Sequence, residues 1–193
     1  NSAAGHFLLL DIDHFKSVND VYGHDTGDEV LVEIANELKA LLRPEDMIAR
    51  FGGEEFVVFI SGPDRIPHIV AEQLRSGVAN RKNASAKGQT VSIGVAPHSG
   101  GPDFTVAIGR ADRALYDAKH QGRNKVCTWI TDPAEYGVTA HQYDKPFPVH
   151  RQKQRLFANN VKLHDIFEQT SYGYFRSDNT GEMSSANDTG KTK

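Results

Sequence analysis

Apolar residues follow two rhythms along this chain, and the switches between them give the order of its elements. The run Phe7-Leu8-Leu9-Leu10 within His6–Ile12 is continuous, which predicts a strand buried on both faces. It ends in Asp11 and Asp13. Asp13 is placed to cap a short helix carrying Phe15, Val18, Val21 and Tyr22 on one side. Gly23 to Gly27 break that helix, and a longer one follows at once. Thr26 and Glu29 have capping-box spacing, and Val30, Leu31, Ile34, Ala35, Leu38, Leu41 and Leu42 form an apolar stripe. Pro44 stops it.

Met47–Phe51 and Glu54–Ile60 read as strands joined at Gly52-Gly53, a hairpin signal. A loop covers Ser61–Pro67, and Ile69–Val78 has helical spacing through Val70, Leu74 and Val78. Thr90–Ala96 alternates Val91, Ile93 and Val95 with Ser92 and Gly94, the pattern of a half-buried strand. Val106–Lys119 returns to helical spacing through Ala107, Ala111, Ala114, Leu115 and Ala118, with Gly122 as its stop. Val126–Ile130 is a final strand. The order strand, two helices, hairpin, helix, strand, helix, strand predicts an α+β fold with a mainly antiparallel central sheet.

Past Thr131 the character changes, so residues 1–130 are expected to form the domain and residues 131–193 a C-terminal extension. Within it, Leu156, Phe157, Val161, Leu163, Ile166 and Phe167 fit one loose amphipathic helix, and Ser171–Lys193 has the composition of a disordered tail. Gly190-Lys191-Thr192 is no phosphate-binding loop: Ser185 stands where the first glycine is needed, and no strand precedes it.

Composition narrows the function classes. A hydrophobic fraction of 38% suffices for a core, and a net charge of −3 gives no general attraction to nucleic acid or an anionic membrane. A phosphate ligand must therefore be held by a local arrangement of Lys, Arg and backbone N–H groups. The single Cys127 permits no intrachain disulfide and fits a reducing compartment. No apolar run approaches the roughly 20 residues that cross a bilayer. A cytoplasmic-facing domain is expected, alone or as part of a larger membrane or sensor protein.

The candidate chemistry lies in carboxylates. Asp11 closes a buried strand, and Glu54 and Glu55 follow the glycine pair. If the hairpin pairs beside the first strand, Asp11 and Glu54 share one edge of the sheet, where hard oxygen ligands suit Mg²⁺. Gly52 and Gly53 remove side chains where a nucleotide has to approach the backbone. The plainer alternative is a set of solvated strand ends and an ordinary turn.

Five ordered segments carry a resemblance that decides between these. They are Phe7-Leu8-Leu9-Leu10-Asp11-Ile12-Asp13-His14-Phe15-Lys16; Asn19-Asp20 with Gly23-His24-Asp25 and Gly27-Asp28; Arg50-Phe51-Gly52-Gly53-Glu54-Glu55-Phe56; Ser92-Ile93-Gly94-Val95; and Ala111-Asp112-Arg113-Ala114-Leu115-Tyr116-Asp117-Ala118-Lys119 with Gly122-Arg123-Asn124. In order and spacing they resemble the GGDEF family of diguanylate cyclases, in its GGEEF variant, across Phe7 to Trp129. The resemblance implies a nucleotidyl-cyclase and polymerase-palm-like fold. It implies that two GTP molecules are condensed into cyclic di-GMP with release of two pyrophosphates, at a homodimer interface and with Mg²⁺ or Mn²⁺.

By the same resemblance, Asp11, the backbone carbonyl of Ile12 and Glu54 are metal ligands. Glu54 helps deprotonate the attacking 3′-hydroxyl and Glu55 assists. Lys16 neutralises charge on the phosphates, Asn19 and Asp28 read guanine, and His24 lines their pocket. Lys119 and Arg123, four apart and expected on one helix face, bind the terminal phosphates. Arg43 and Asp46 match an Arg-x-x-Asp site for inhibition by the product, with Arg75 as a second arginine. His68, His98, His120, His141, His150 and His164 show no metal-ligand spacing and are expected at the surface.

The family also carries an upstream helical segment with Asp-x-Leu-Thr-Gly-Leu and Asn-Arg-Arg, which this sequence lacks. Three other readings compete: a non-catalytic receptor for cyclic di-GMP or GTP, a synthase of another dinucleotide, and an interaction domain driven by the extension.

Overall fold

The computed structural model describes residues 4–62, 64–81, 85, 88–101 and 104–130; the expected extension at 131–193, including His141, His150 and His164, lies outside the described residues. Among the described residues, five strands and four helices follow the order the sequence predicts. They are β1 (Gly5–Ile12), α1 (Phe15–Tyr22), α2 (His24–Leu41), β2 (Met47–Gly52), β3 (Glu55–Ser61), α3 (Pro67–Asn80), β4 (Val91–His98), α4 (Thr105–His120) and β5 (Val126–Thr128).

The strands form one sheet in the order β2-β3-β1-β4-β5. β1 is central and antiparallel to both β3 and β4, while β5 runs parallel to β4. Its apolar run divides with period two, as a pleated strand requires. Leu8, Leu10 and Ile12 join the core beneath α1, α2 and α3. Phe7 and Leu9 join a second core that includes Ala107, Ile108, Ala111 and Leu115 of α4. Helices on both faces explain why β1 reads as a continuous apolar run.

The same two-sided burial corrects the expectation for β4. Val91 to Ala96 are all buried, not alternately exposed. The apparent polar face consists of Ser92 and Gly94, and a Cβ on Gly94 would collide with the backbone of Ala111 and Leu115 in α4. Glycine there is what allows the helix to lie directly on the strand.

Local start signals proved less reliable. Asp13 does not cap α1; His14 occupies that position at φ 58°, without a side-chain cap. The Thr26–Glu29 capping box does not form, because α2 begins at His24 and leaves Thr26 inside the first turn. Gly23, at φ 86°, instead receives both helix ends: its N–H donates to Asn19 and its carbonyl accepts from Gly27. Only the first turn of α1 packs inward, and Val21 and Tyr22 are 70% and 60% exposed. Leu41 is likewise exposed at the end of the α2 stripe. β5 is shorter than the expected Val126–Ile130. His98, expected at the surface, is buried among Phe7, Phe59 and Phe104.

Candidate active site

The β2–β3 hairpin delivers the carboxylates as the sequence predicts. β3 pairs with β1 so that Glu55 stands opposite Asp11, and the Ile12 N–H donates to the Glu54 carbonyl at 3.2 Å. Arg50 closes the turn, its Nε donating to the Gly53 carbonyl at 2.8 Å, beside a register shift between Arg50 and Gly52. Gly53 has φ 48°, and a Cβ there would meet nothing within 4 Å. Glycine is favoured here by the backbone conformation and leaves an open approach to the turn.

Asp11 is 6% exposed, and its carboxyl is pushed up to about 6. Burial is the main cause; the charges of Glu55 and Glu54 add to it, and the charge and hydrogen bond of Lys119 oppose it. Lys119, in the last turn of α4, places Nζ 2.6 Å from Asp11 Oδ2. Asp11 and the two carboxylates whose charges it feels, Glu55 and Glu54, against one ammonium make a donor set that suits a hard divalent cation. Among the described residues, no three His, Cys, Asp or Glu side chains converge closely enough to hold a metal by themselves. A cation at Asp11 and Glu54 therefore also needs backbone oxygen, with the Ile12 carbonyl as the sequence candidate, and oxygens from a ligand.

Beside this edge lies a cavity of about 440 Å³ between α1, α2 and the hairpin turn. It collects six of the residues singled out in the sequence: Lys16, Asn19, His24, Asp28, Gly53 and Glu54. Lys16 and Asn19 are three apart on α1, and His24 and Asp28 are four apart on α2, so each helix turns one pair to the same side. The helices can approach because residue 27 is glycine: a Cβ there would collide with the Asn19 amide oxygen. Phe15, Leu31 and Arg50 complete the lining. None of these three was assigned a role from the sequence, although Arg50 and Phe15 stand inside the quoted motifs; Leu31 was visible only as part of an apolar stripe.

One expectation needs correction. Lys119 and Arg123 do not share a helix face, because α4 ends at His120 and Arg123 lies beyond it at φ 61°. Neither lines the cavity. The Arg-x-x-Asp segment is tied into its surroundings by three contacts. Arg43 donates its backbone N–H to Asp46 Oδ2 at 3.0 Å, and its guanidinium pairs with Asp64 at 3.0 Å on the surface. Arg65, which carried no sequence signal, forms an ion pair with Asp46, whose side chain is 1% exposed. Arg75 instead bonds Glu72 at 2.8 Å and Asn124 at 2.7 Å. Asp13, read as a cap, accepts hydrogen bonds from Thr90, Ser92 and the Asn124 backbone.

Comparison with known proteins bears on this arrangement. The family described as "Diguanylate cyclase, GGDEF domain" matches residues 1–125. The chain is 39% identical over 127 residues to diguanylate cyclase DosC of Escherichia coli, covering 63% of this chain and 28% of that protein. It is 44% identical over 120 residues to diguanylate cyclase DgcM of the same organism, covering 62% and 29%. The chain thus spans less than a third of the length of these curated relatives. Among solved structures, the active GGEEF domain of a diguanylate cyclase from Vibrio cholerae superposes with TM-score 0.61 at 32% identity, covering 67% of this chain and 85% of that one. The GGDEF domain of DgcB from Caulobacter crescentus, solved in complex with c-di-GMP, gives 0.58 at 35% identity, covering 65% and 77%. Among the described residues no helix is long and apolar enough to cross a membrane. With this fold, this site and a family match over most of the described residues, the chain belongs to the GGDEF family.

Proposed function

We propose that this domain is the catalytic module of a diguanylate cyclase, holding one GTP and joining it to a second GTP on a partner copy of the chain. The observation that carries the reading is the cavity that gathers Lys16, Asn19, His24, Asp28 and Glu54 next to the buried Asp11 carboxylate. The guanine ring lies between α1 and α2. The Asp28 carboxylate accepts from the N1 and N2 donors of guanine, and the Asn19 amide serves its acceptor edge. Adenine lacks that donor pair, so GTP is preferred to ATP. His24 lines the same pocket.

The phosphates run from the hairpin turn towards the end of α4. Glycine at 52 and 53 leaves the backbone open to them, and Lys16 offsets charge developing there. Lys119 and Arg123 hold the terminal phosphates. Asp11, the Ile12 carbonyl and Glu54 would hold a divalent cation, Mg²⁺ or Mn²⁺, which would supply Lewis-acid charge to the phosphates. Glu54 accepts the proton of the 3′-hydroxyl, with Glu55 assisting. That oxygen then bonds to the α-phosphorus of the partner's GTP as pyrophosphate leaves. The reciprocal attack closes the ring. One half-site has no nucleophile for its own GTP, so the reaction needs a homodimer, and orienting two bound nucleotides is a large part of the catalysis. Such a module works in the cytoplasm, where its substrate is.

Inhibition by cyclic di-GMP through Arg43 and Asp46 belongs to the same reading. A guanidinium pairs with phosphate or guanine, and product binding has to exchange the surface pair of Arg43 with Asp64. Glu54→Gln tests the catalytic assignment. The variant is expected to stay folded and bind GTP but form no cyclic di-GMP; full activity would remove the role given to Glu54.

A further inference from the structure

The turn after α4 is held in a backbone conformation that its residues disfavour. Gly122, Arg123 and Asn124 have φ of 107°, 61° and 45° in succession. Glycine adopts such values freely, asparagine less so, and arginine rarely. A single left-handed residue is enough to end a helix, so Gly122 alone would stop α4. The two residues that follow must be held by something else.

Two side chains from distant parts of the chain hold Asn124, and a backbone bond holds Arg123. Asp13, just past β1 and 3% exposed, accepts the Asn124 backbone N–H at 3.0 Å. The same carboxylate accepts the hydroxyls of Thr90 and Ser92, each at 2.6 Å, which fixes it against the start of β4. From the other side, Arg75 of α3 donates Nη1 to Asn124 Oδ1 at 2.7 Å while its Nε holds Glu72 at 2.8 Å. The Arg123 N–H closes the turn onto the Ala118 carbonyl at 3.1 Å. The end of α4 therefore grips the end of β1 twice, through Lys119 on Asp11 and through Asn124 on Asp13. A mere connection between α4 and β5 requires neither long-range tie nor a left-handed arginine.

We propose that Asp13, Arg75 and Asn124 are positioning residues that lock this turn so that Arg123 is presented to the terminal phosphates of a nucleotide bound beside Asp11. The inference rests on the reading of the site as a GTP site. The three residues act through Arg123 and touch no substrate themselves.

The test uses the full chain and calorimetric titration with two ligands in the presence of Mg²⁺. One is a GTP analogue with a methylene bridge between the α- and β-phosphorus, which cannot release pyrophosphate; the other is GMP, which lacks the terminal phosphates. Arg75→Met is expected to weaken the analogue about three- to tenfold, the loss of one charge-assisted contact held in place, while GMP binds as before. Arg123→Ala should show the same selective loss, and the double variant should be no weaker than Arg123→Ala alone. Arg75→Lys, which can still donate to Asn124, should recover part of the loss. Asn124→Gly suits the backbone and keeps its N–H, so it removes only the Arg75 tie and should repeat the result if Arg75→Met fails to fold. Equal losses for analogue and GMP, no loss for the analogue, or losses that multiply in the double variant would overturn the inference. A wild-type chain that binds neither ligand would overturn the GTP reading itself.

Discussion

Asp11→Asn exchanges a buried carboxylate for a neutral side chain of nearly the same shape, and its effect on stability can be worked out from the site. An acid whose pKa is higher in the folded than in the unfolded chain binds more protons when folded between the two values. Stability therefore falls as pH rises through that window, here from the ordinary 3.8 to about 6. The full cost, reached above pH 6, is about 3 kcal/mol, and at pH 4.5 it is about 1 kcal/mol. Asparagine carries none of it. With divalent cations removed by a chelator, urea unfolding should show the variant gaining about 2 kcal/mol more over the wild type at pH 8 than at pH 4.5. Steric effects of the substitution are the same at both pH values and cancel in this difference. A gain that does not change with pH, or one that is larger at pH 4.5, would refute the account of Asp11 as a carboxylate raised by burial and by its acidic neighbours. The same variant should form no cyclic di-GMP, since the stability gained comes from removing a charge the site is proposed to use.

A cation at the proposed site would compete with Lys119 for the same oxygen of Asp11, so Lys119→Met should tighten Mn²⁺ binding without nucleotide about tenfold while weakening GTP. Paramagnetic resonance of free Mn²⁺ reads the first effect, and weaker Mn²⁺ binding would exclude the competition. Gly94→Ala drives a methyl group into the α4 backbone and should cost about 3 kcal/mol in urea unfolding; a cost under about 1 kcal/mol would mean that α4 shifts freely. Gly27→Ala pushes the Asn19 amide out of place and should lower the preference for GTP over ATP in competition binding. An unchanged preference would separate Asn19 from guanine recognition.

The element order, the burial of the first strand on both faces and the shared edge of Asp11 and Glu54 were legible because each rests on one strong local signal. A continuous apolar run has to be covered on both faces, and a glycine pair between two strands has to turn. Lys16, Asn19, His24 and Asp28 could be gathered in advance only through the family's spacing, since periodicity alone describes two short helical faces. What stayed hidden depends on partners far along the chain. Asp13 has the sequence context of a helix cap, and its partners Thr90, Ser92 and Asn124 come from the other end of the domain. Arg65 is one charge in a loop until the fold brings Asp46 beside it. Ser92 and Gly94 imitate a solvent face, although one is a buried donor to Asp13 and the other a contact surface for α4. Arg123 seemed to extend a helix that Gly122 had already ended.

The central claim is that two copies of this site join two GTP molecules. Its most direct test incubates the chain with GTP and Mg²⁺ over a range of protein concentrations, separates the products and identifies them by mass. The account predicts cyclic di-GMP and pyrophosphate, formed at a rate that rises more steeply than in proportion to protein concentration. GTP that binds but stays unconverted at every concentration would contradict it.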